Sequence, residues 1–216
     1  MTYSVKEIFL TLQGEGAQTG RRAVFCRLSG CNLWSGRESD RDQAICRFCD
    51  TDFVGTDGDG GGKFDQADAL ASAIERCWGP GLEHRLVVLT GGEPLLQVDA
   101  PLIEALHARR FMIAVESNGS VRAPSGIDWL CISPKAGAPW VQRSGQELKV
   151  VYPQPGLDPL SLESLIRDGD LDFQHHFLQP MDGPLRRAHL EGALQACLDH
   201  PRWRLGLQTH KITGIR

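Results

Sequence analysis

Apolar and polar positions fall into blocks along the chain. Val5 to Leu12 and Ala23 to Leu28 are apolar-rich stretches separated by Gly14, Gly16 and Gly20, which predicts two strands joined by a glycine-dense turn region. From Trp34 to Lys63 the regularity stops, and the run Thr56 to Gly62 makes this an irregular insertion of the functional or mobile kind. Asp65 is placed to cap a helix running to about Trp78, with Leu70, Ile74 and Cys77 on one buried face. Arg85 to Thr90 is almost continuously apolar and ends in Gly91-Gly92, as expected for a strand of a parallel sheet covered on both faces. Asp99 and Pro101 open a helix to about Arg110, and Phe111 to Val115, Asp128 to Ile132 and Leu148 to Tyr152 follow as strands. Asp158-Pro159 opens a short helix that Gly169 ends, His176 to Leu178 is a strand, Pro184 begins a helix to about His200, and Trp203 to Leu207 closes the series.

Strand and helix alternate throughout, which implies βα units, a parallel sheet and a site on loops at the carboxyl ends of strands. Six or seven strands follow the opening segment, too few with strong helices for an eight-fold barrel. The expected fold class is therefore α/β, a partial, open βα barrel of parallel strands. At 216 residues this is one domain, 1–216, with a loop insertion at about 34–63 and no internal repeat.

Composition narrows the function classes. Apolar residues make up 41% and charged residues 23%, and no apolar run approaches the roughly 18 residues that span a bilayer. The first residues lack a basic flank followed by a long apolar core, so a cytoplasmic location is expected, with no membrane partner. Net charge is −4 with no long Lys/Arg run, which argues against a nucleic-acid surface and for a small-molecule partner. Seven cysteines, an odd number, argue against a disulfide framework in a reducing compartment.

Cys31, Cys46 and Cys49 lie in the first long loop after a strand, with fourteen residues between the first two and two between the last two. Soft thiolates select zinc, Cu(I) or iron–sulfur clusters, and a Cys-x₂-Cys pair brings two sulfurs to one centre. A structural zinc site wants a fourth ligand, yet Cys26 sits on a strand and the nearest downstream histidine is His84. Spacing alone leaves zinc, an iron–sulfur cluster and incidental cysteines open. Cys26, Cys77, Cys131 and Cys197 fall in strand or helix patterns and read as small buried hydrophobes. Asp57 to Gly60 has the start of a calcium loop, but Gly61 stands where an oxygen ligand is wanted, so a flexible solvated loop is expected. Gly62-Lys63 lacks the first glycine and the hydroxyl of a phosphate loop. His175-His176 reads as a partly exposed pair, and Gln13, Glu15 and Arg27 taken alone read as surface residues.

Thr90-Gly91-Gly92-Glu93-Pro94 at a strand end, together with the three cysteines and Phe48 before the last of them, resembles the radical S-adenosylmethionine enzymes. In that superfamily three cysteines hold a [4Fe-4S] cluster whose fourth iron binds the cofactor's methionine amino and carboxylate groups. Leu12-Gln13-Gly14-Glu15-Gly16, Arg27 to Leu33 and Phe48 to Asp52, with the enlarged cysteine loop, further resemble the 7-carboxy-7-deazaguanine synthase family. The likeness runs from Leu12 to Gln208-Thr209-His210-Lys211. It implies a shortened radical core that contracts 6-carboxy-5,6,7,8-tetrahydropterin to 7-carboxy-7-deazaguanine with loss of ammonia, aided by Mg²⁺. It also implies a flavodoxin- or ferredoxin-type reductant and a homodimer.

By the same resemblance, Cys31, Cys46 and Cys49 bind the cluster. Phe48, Cys49, Asp50, Gly92, Ser133, Pro134, Lys135, Gln179, Pro180, Met181 and Asp182 surround the cofactor, with the Glu93 carboxylate meeting its ammonium. Thr51 offers its hydroxyl to Mg²⁺. Leu12, Gln13, Gly14, Glu15, Arg27, Thr90, His210 and Arg216 contact the substrate, Glu15 at the donor-rich edge and Arg27 at the carboxylate. Two rival functions stay open: a glycyl-radical activating enzyme and a non-catalytic zinc-stabilised binding module.

Overall fold

The computed structural model describes residues 2–216. Its strands are β1 (Tyr3–Leu12), β2 (Arg22–Leu28), β3 (Gly62–Phe64), β4 (Leu86–Gly91), β5 (Met112–Ser117), β6 (Trp129–Ile132), β7 (Ser144–Tyr152), β8 (Asp172–Pro180) and β9 (Arg204–Leu205). The helices are α1 (Ala67–Trp78), α2 (Ala100–Ala108), α3 (Pro159–Arg167), α4 (Arg186–Asp199) and α5 (Thr209–Thr213). All nine strands form one sheet in the order β3-β1-β2-β4-β5-β6-β7-β8-β9. β1 runs antiparallel to β2 and β3, and every pairing from β2 to β9 is parallel. β3 and β9 end the sheet without meeting, so the barrel is open, as its strand and helix pattern predicts.

The two faces of the sheet differ. Val24, Cys26, Leu28, Val87, Leu89, Ile113, Val115, Leu148 and Val150 turn to the face covered by helices, where they share one core with Leu70 and Ile74 of α1, Leu102 and Leu106 of α2, and Leu162 of α3. The alternate residues face inward. Ala23, Leu86, Val88 and Ala114 close the bottom of that face with Phe25, Met112 and Trp129. Two residues further along the same strands the inward positions become Arg27, Thr90 and Glu116, which line a cleft. The period of two thus carries each strand from an apolar base, below the cleft, to polar residues that line it.

Capping follows the sequence at two helices. Asp99 accepts from the Leu102 N–H at 3.1 Å and Asp158 from the Ser161 N–H at 3.0 Å. At α1 it does not: Gln66 is the N-cap residue, and the Asp65 carboxylate takes the Thr2 hydroxyl instead. α4 starts two residues after Pro184, and the last strand contracts to Arg204–Leu205.

The glycine-rich part of the insertion is not a free loop. The Ile8 N–H donates to Asp59 O at 2.7 Å and the Gly58 N–H to Lys6 O at 2.9 Å, while a Cβ on Gly61 would lie 2.2 Å from Lys6 O. Glycine lets this segment lie against β1, and β3 continues the contact by pairing with Tyr3 to Val5. His176 also departs from expectation. It is buried against Trp203, which pulls its imidazole down to about 4, while His175 stacks on Trp129. Cys26 and Cys131 are buried, and Cys77 and Cys197 pack against the core, as their patterns predict.

Candidate active site

The cleft opens where the parallel strands end. On one wall stand Cys31, Cys46 and Cys49, all with free thiols. Cys31 follows β2, and its position is set by Gly92: a Cβ there would lie 2.1 Å from Gly30 O and 2.8 Å from Cys31 Cβ. Gly91 is equally confined, with a φ of 139° and only 2.0 Å between a virtual Cβ and Leu28 O. The Gly-Gly pair is therefore what lets β4 and the cysteine segment touch backbone to backbone. Gly92→Ala is expected to displace Cys31 at a cost of about 1–3 kcal/mol, typical of overpacking, with weakened iron retention after anaerobic reconstitution. Unchanged iron content and melting temperature would count against this role.

Cys31, Cys46 and Cys49 lie close enough to shift one another's ionisation. The hydrogen bond from Cys46 and the Thr51 backbone N–H outweigh burial and draw the Cys49 thiol down to about 6, toward the thiolate that binds metal. Among the described residues no three His, Cys, Asp or Glu side chains come close enough to hold a single ion.

The same wall carries Phe48, Asp50, Thr51, Gly92, Ser133, Lys135, Gln179, Pro180 and Asp182. Lys135 Nζ is folded onto the Ser133 carbonyl and hydroxyl, and burial lowers its pKa. Gln179 is buried with its Oε1 unpartnered, aimed for something the protein itself does not supply. Pro134 and Met181 do not line the cleft. Pro134 is buried, with its carbonyl accepting from Gln154, and the Met181 backbone is engaged by Tyr152 and His189. Glu93 differs as well. It is fully buried, and its carboxylate accepts from the Leu95 N–H, the Ser117 hydroxyl and the Asn118 N–H, tying the β4 exit to the end of β5.

The cleft is also lined by Leu12, Gln13, Gly14, Glu15, Arg27, Thr90, His210 and Arg216. Arg27 Nε donates to Glu7 at 2.8 Å. Gln13 is buried, accepting from the Glu15 N–H and donating to Glu116 at 3.0 Å. Lys149, which no sequence motif singles out, stands on the floor and bridges Glu15 and Glu116. Burial alone would raise the Glu15 carboxyl, but the Lys149 ammonium and the Gln208 amide hold it down at about 2. Burial alone would lower the Lys149 ammonium, but Glu116 and Glu15 hold it well above its usual range. The signal that could have found it is alternation: Glu147 and Lys149 share one face of β7, Leu148 and Val150 the other.

The last residues roof the cleft. The Thr209 N–H donates to Gly14 O at 2.9 Å, and His210 lies so close to Gly14 that a Cβ there would be 2.5 Å from its Nδ1. Lys211 bridges Asp50 and Asp182, Arg216 pairs with Glu7 and Asp59, and the Arg216 carbonyl oxygen accepts from the Thr11 hydroxyl at 2.6 Å.

An open α/β barrel with a roofed cleft at its strand ends, a trio of thiols on one wall and a buried carboxylate–ammonium floor defines an enzyme of the partial-barrel class. Over 215 residues and the full length of each chain, the sequence is 62% identical to 7-carboxy-7-deazaguanine synthase of Caulobacter vibrioides and 61% to that of Bordetella pertussis. The chain belongs to the 7-carboxy-7-deazaguanine synthase family. The Burkholderia multivorans relative is 59% identical over the same span. Among solved structures, QueE from Escherichia coli matches with a TM-score of 0.69 at 25% identity, covering 96% of this chain and 94% of that one. No family model matches the chain.

Proposed function

We propose that the protein contracts 6-carboxy-5,6,7,8-tetrahydropterin to 7-carboxy-7-deazaguanine with release of ammonia, as a radical S-adenosylmethionine enzyme. The observation that carries this reading is the convergence of Cys31, Cys46 and Cys49 on the same cleft that Arg27 and Thr90 line. The donor set fits a [4Fe-4S] cluster: three free thiols line one cleft, with one of them drawn toward the thiolate. The unpartnered Gln179 Oε1 beside them fits a polar cofactor. When bound, the cluster and S-adenosylmethionine supply hydrogen-atom abstraction from the substrate.

The chain's own groups bind and orient. Phe48, Cys49, Asp50, Gly92, Ser133, Lys135, Gln179, Pro180 and Asp182 form the cofactor wall. Thr51, which lines the same cleft, offers a hydroxyl to Mg²⁺, a hard ion that needs few protein oxygens. Among the described residues Arg27 is engaged through Nε alone, by Glu7, which leaves its terminal nitrogens to the pterin carboxylate. Leu12 to Gly14, Thr90, His210 and Arg216 enclose the ring and exclude water. A roof made by the chain's own C-terminal residues suits a small molecule better than the backbone of a protein substrate, which disfavours a glycyl-radical activating role. No helix among the described residues is long and apolar enough to cross a membrane. We place the enzyme in the cytoplasm, reduced by a flavodoxin or ferredoxin, as one domain that pairs into a homodimer.

The test is an anaerobic assay of the reconstituted protein with reductant, S-adenosylmethionine, Mg²⁺ and carboxytetrahydropterin, read by mass spectrometry. Formation of 7-carboxy-7-deazaguanine is expected. Cofactor cleavage without that product would overturn the substrate, and one zinc with no iron would overturn the class.

A further inference from the structure

Resting on the pterin reading above, we propose that Glu116, not Glu15, accepts the donor edge of the 2-amino-4-pyrimidinone ring and sets specificity for it. Glu15 is the more engaged carboxylate: one oxygen is held by Lys149 and the other by the Gln208 amide at 3.0 Å. Glu116 receives one hydrogen bond, from Gln13 Nε2 at 3.0 Å, and its other oxygen is 3.6 Å from Lys149 Nζ, beyond hydrogen-bond distance. A carboxylate offers about four acceptor sites, so Glu116 keeps more open capacity, with neither oxygen bonded to an ammonium, than Glu15 does. It is also the more open of the two, its side chain 22% exposed against 14%.

Position supports the assignment. Arg27 and Thr90 are register partners across β2 and β4, and Leu89 pairs with Val115, which sets Glu116 beside Thr90. Arg27, Thr90 and Glu116 therefore lie at one level on three adjacent strands, a cation at one end and an acceptor at the other. A flat ring with a carboxylate at one end and adjacent N–H and NH₂ donors at the other matches that row. Lys149 and Gln13 hold the acceptor in place without covering it.

The test compares the carboxytetrahydropterin with its 2-oxo analogue, in which the amino donor becomes a carbonyl acceptor, on the reconstituted enzyme. Wild type is expected to prefer the amino substrate by about 10–100-fold in kcat/KM, the range of a bidentate pair set against an acceptor clash. Glu116→Gln is expected to cut that preference at least about tenfold, chiefly through KM, because the ring edge is remote from the reacting carbon. Equilibrium dialysis of 7-carboxy-7-deazaguanine, which carries the same edge, should show a matching loss of affinity without turnover. Glu116→Asp, which keeps the charge but withdraws it, is expected to weaken binding while retaining more of the preference, and it serves if the glutamine variant does not fold. An unaltered preference in Glu116→Gln, or unaltered affinity for 7-carboxy-7-deazaguanine in either folded variant, overturns the assignment while the pterin reading stands. Failure of wild type to bind either ligand overturns both.

Discussion

Cys49→Ala is expected to leave the fold intact and abolish turnover. Cys49 is half-buried on the cleft wall and belongs to neither hydrophobic cluster, so its loss removes little packing. Its sulfur is the one already drawn toward the thiolate by the Cys46 thiol and the Thr51 N–H, and beyond Cys31 and Cys46 no further cysteine among the described residues lines the cleft to replace it. Even partners behind a metal ligand typically cost about 10–100-fold when removed, so a ligand itself should cost more. Cofactor cleavage below about 1% of wild type is expected, with iron well under the roughly four per chain of an intact cluster. Anaerobic reconstitution, iron analysis and assay of 5′-deoxyadenosine check this. Cys26→Ala is the control. It removes a fully buried sulfur from the core and is expected to cost about 0.5–3 kcal/mol of stability while retaining the iron. A Cys49→Ala chain with full iron and full cofactor cleavage would sink the ligand assignment.

Lys149→Met is expected to destabilise the protein by about 3–5 kcal/mol at neutral pH, because it leaves buried carboxylates without their cation. The methionine fills a similar volume, which isolates the charge from packing. The pH dependence follows from Glu15. Its folded pKa lies below its unfolded value of about 4.3, so its ionised form contributes stability above that value, and the contribution is lost as pH falls through about 2. Without Lys149, burial favours the protonated acid instead, and the penalty for the variant is greatest where an unfolded glutamate would ionise. The stability gap between wild type and variant should therefore narrow as pH drops from about 6 toward about 3. Urea denaturation at several pH values measures it, and a gap that does not vary with pH would contradict the account.

The order of elements was legible because burial is periodic within each strand and helix. Asp99 and Asp158 announced two helices and do cap them. β3 escaped notice because Gly-Lys-Phe has no alternation to detect, and it exists only because β1 offers an edge. α5, five residues long, is held in place by the Gly14 carbonyl, a partner 195 residues away. Within the site, the thiol trio and the glycine pair were readable as motifs. Glu93 was readable as a motif residue but not in its role. The motif is local, whereas the Ser117 and Asn118 donors that occupy its carboxylate are brought by another strand.

By itself the sequence determined which residues alternate, where helices start, and that three thiols share one loop, since these depend on neighbours a few positions apart. Only the tertiary structure decided which face of the sheet is the cleft. It set Lys149 against Glu15 across 134 residues and Gln208 against the same carboxylate across 193. The reason is physical: a period of two assigns side chains to faces, but the curvature of the assembled sheet decides which polar face is enclosed. Enclosure is what turns Glu15, Glu116 and Lys149 from surface charges into a site.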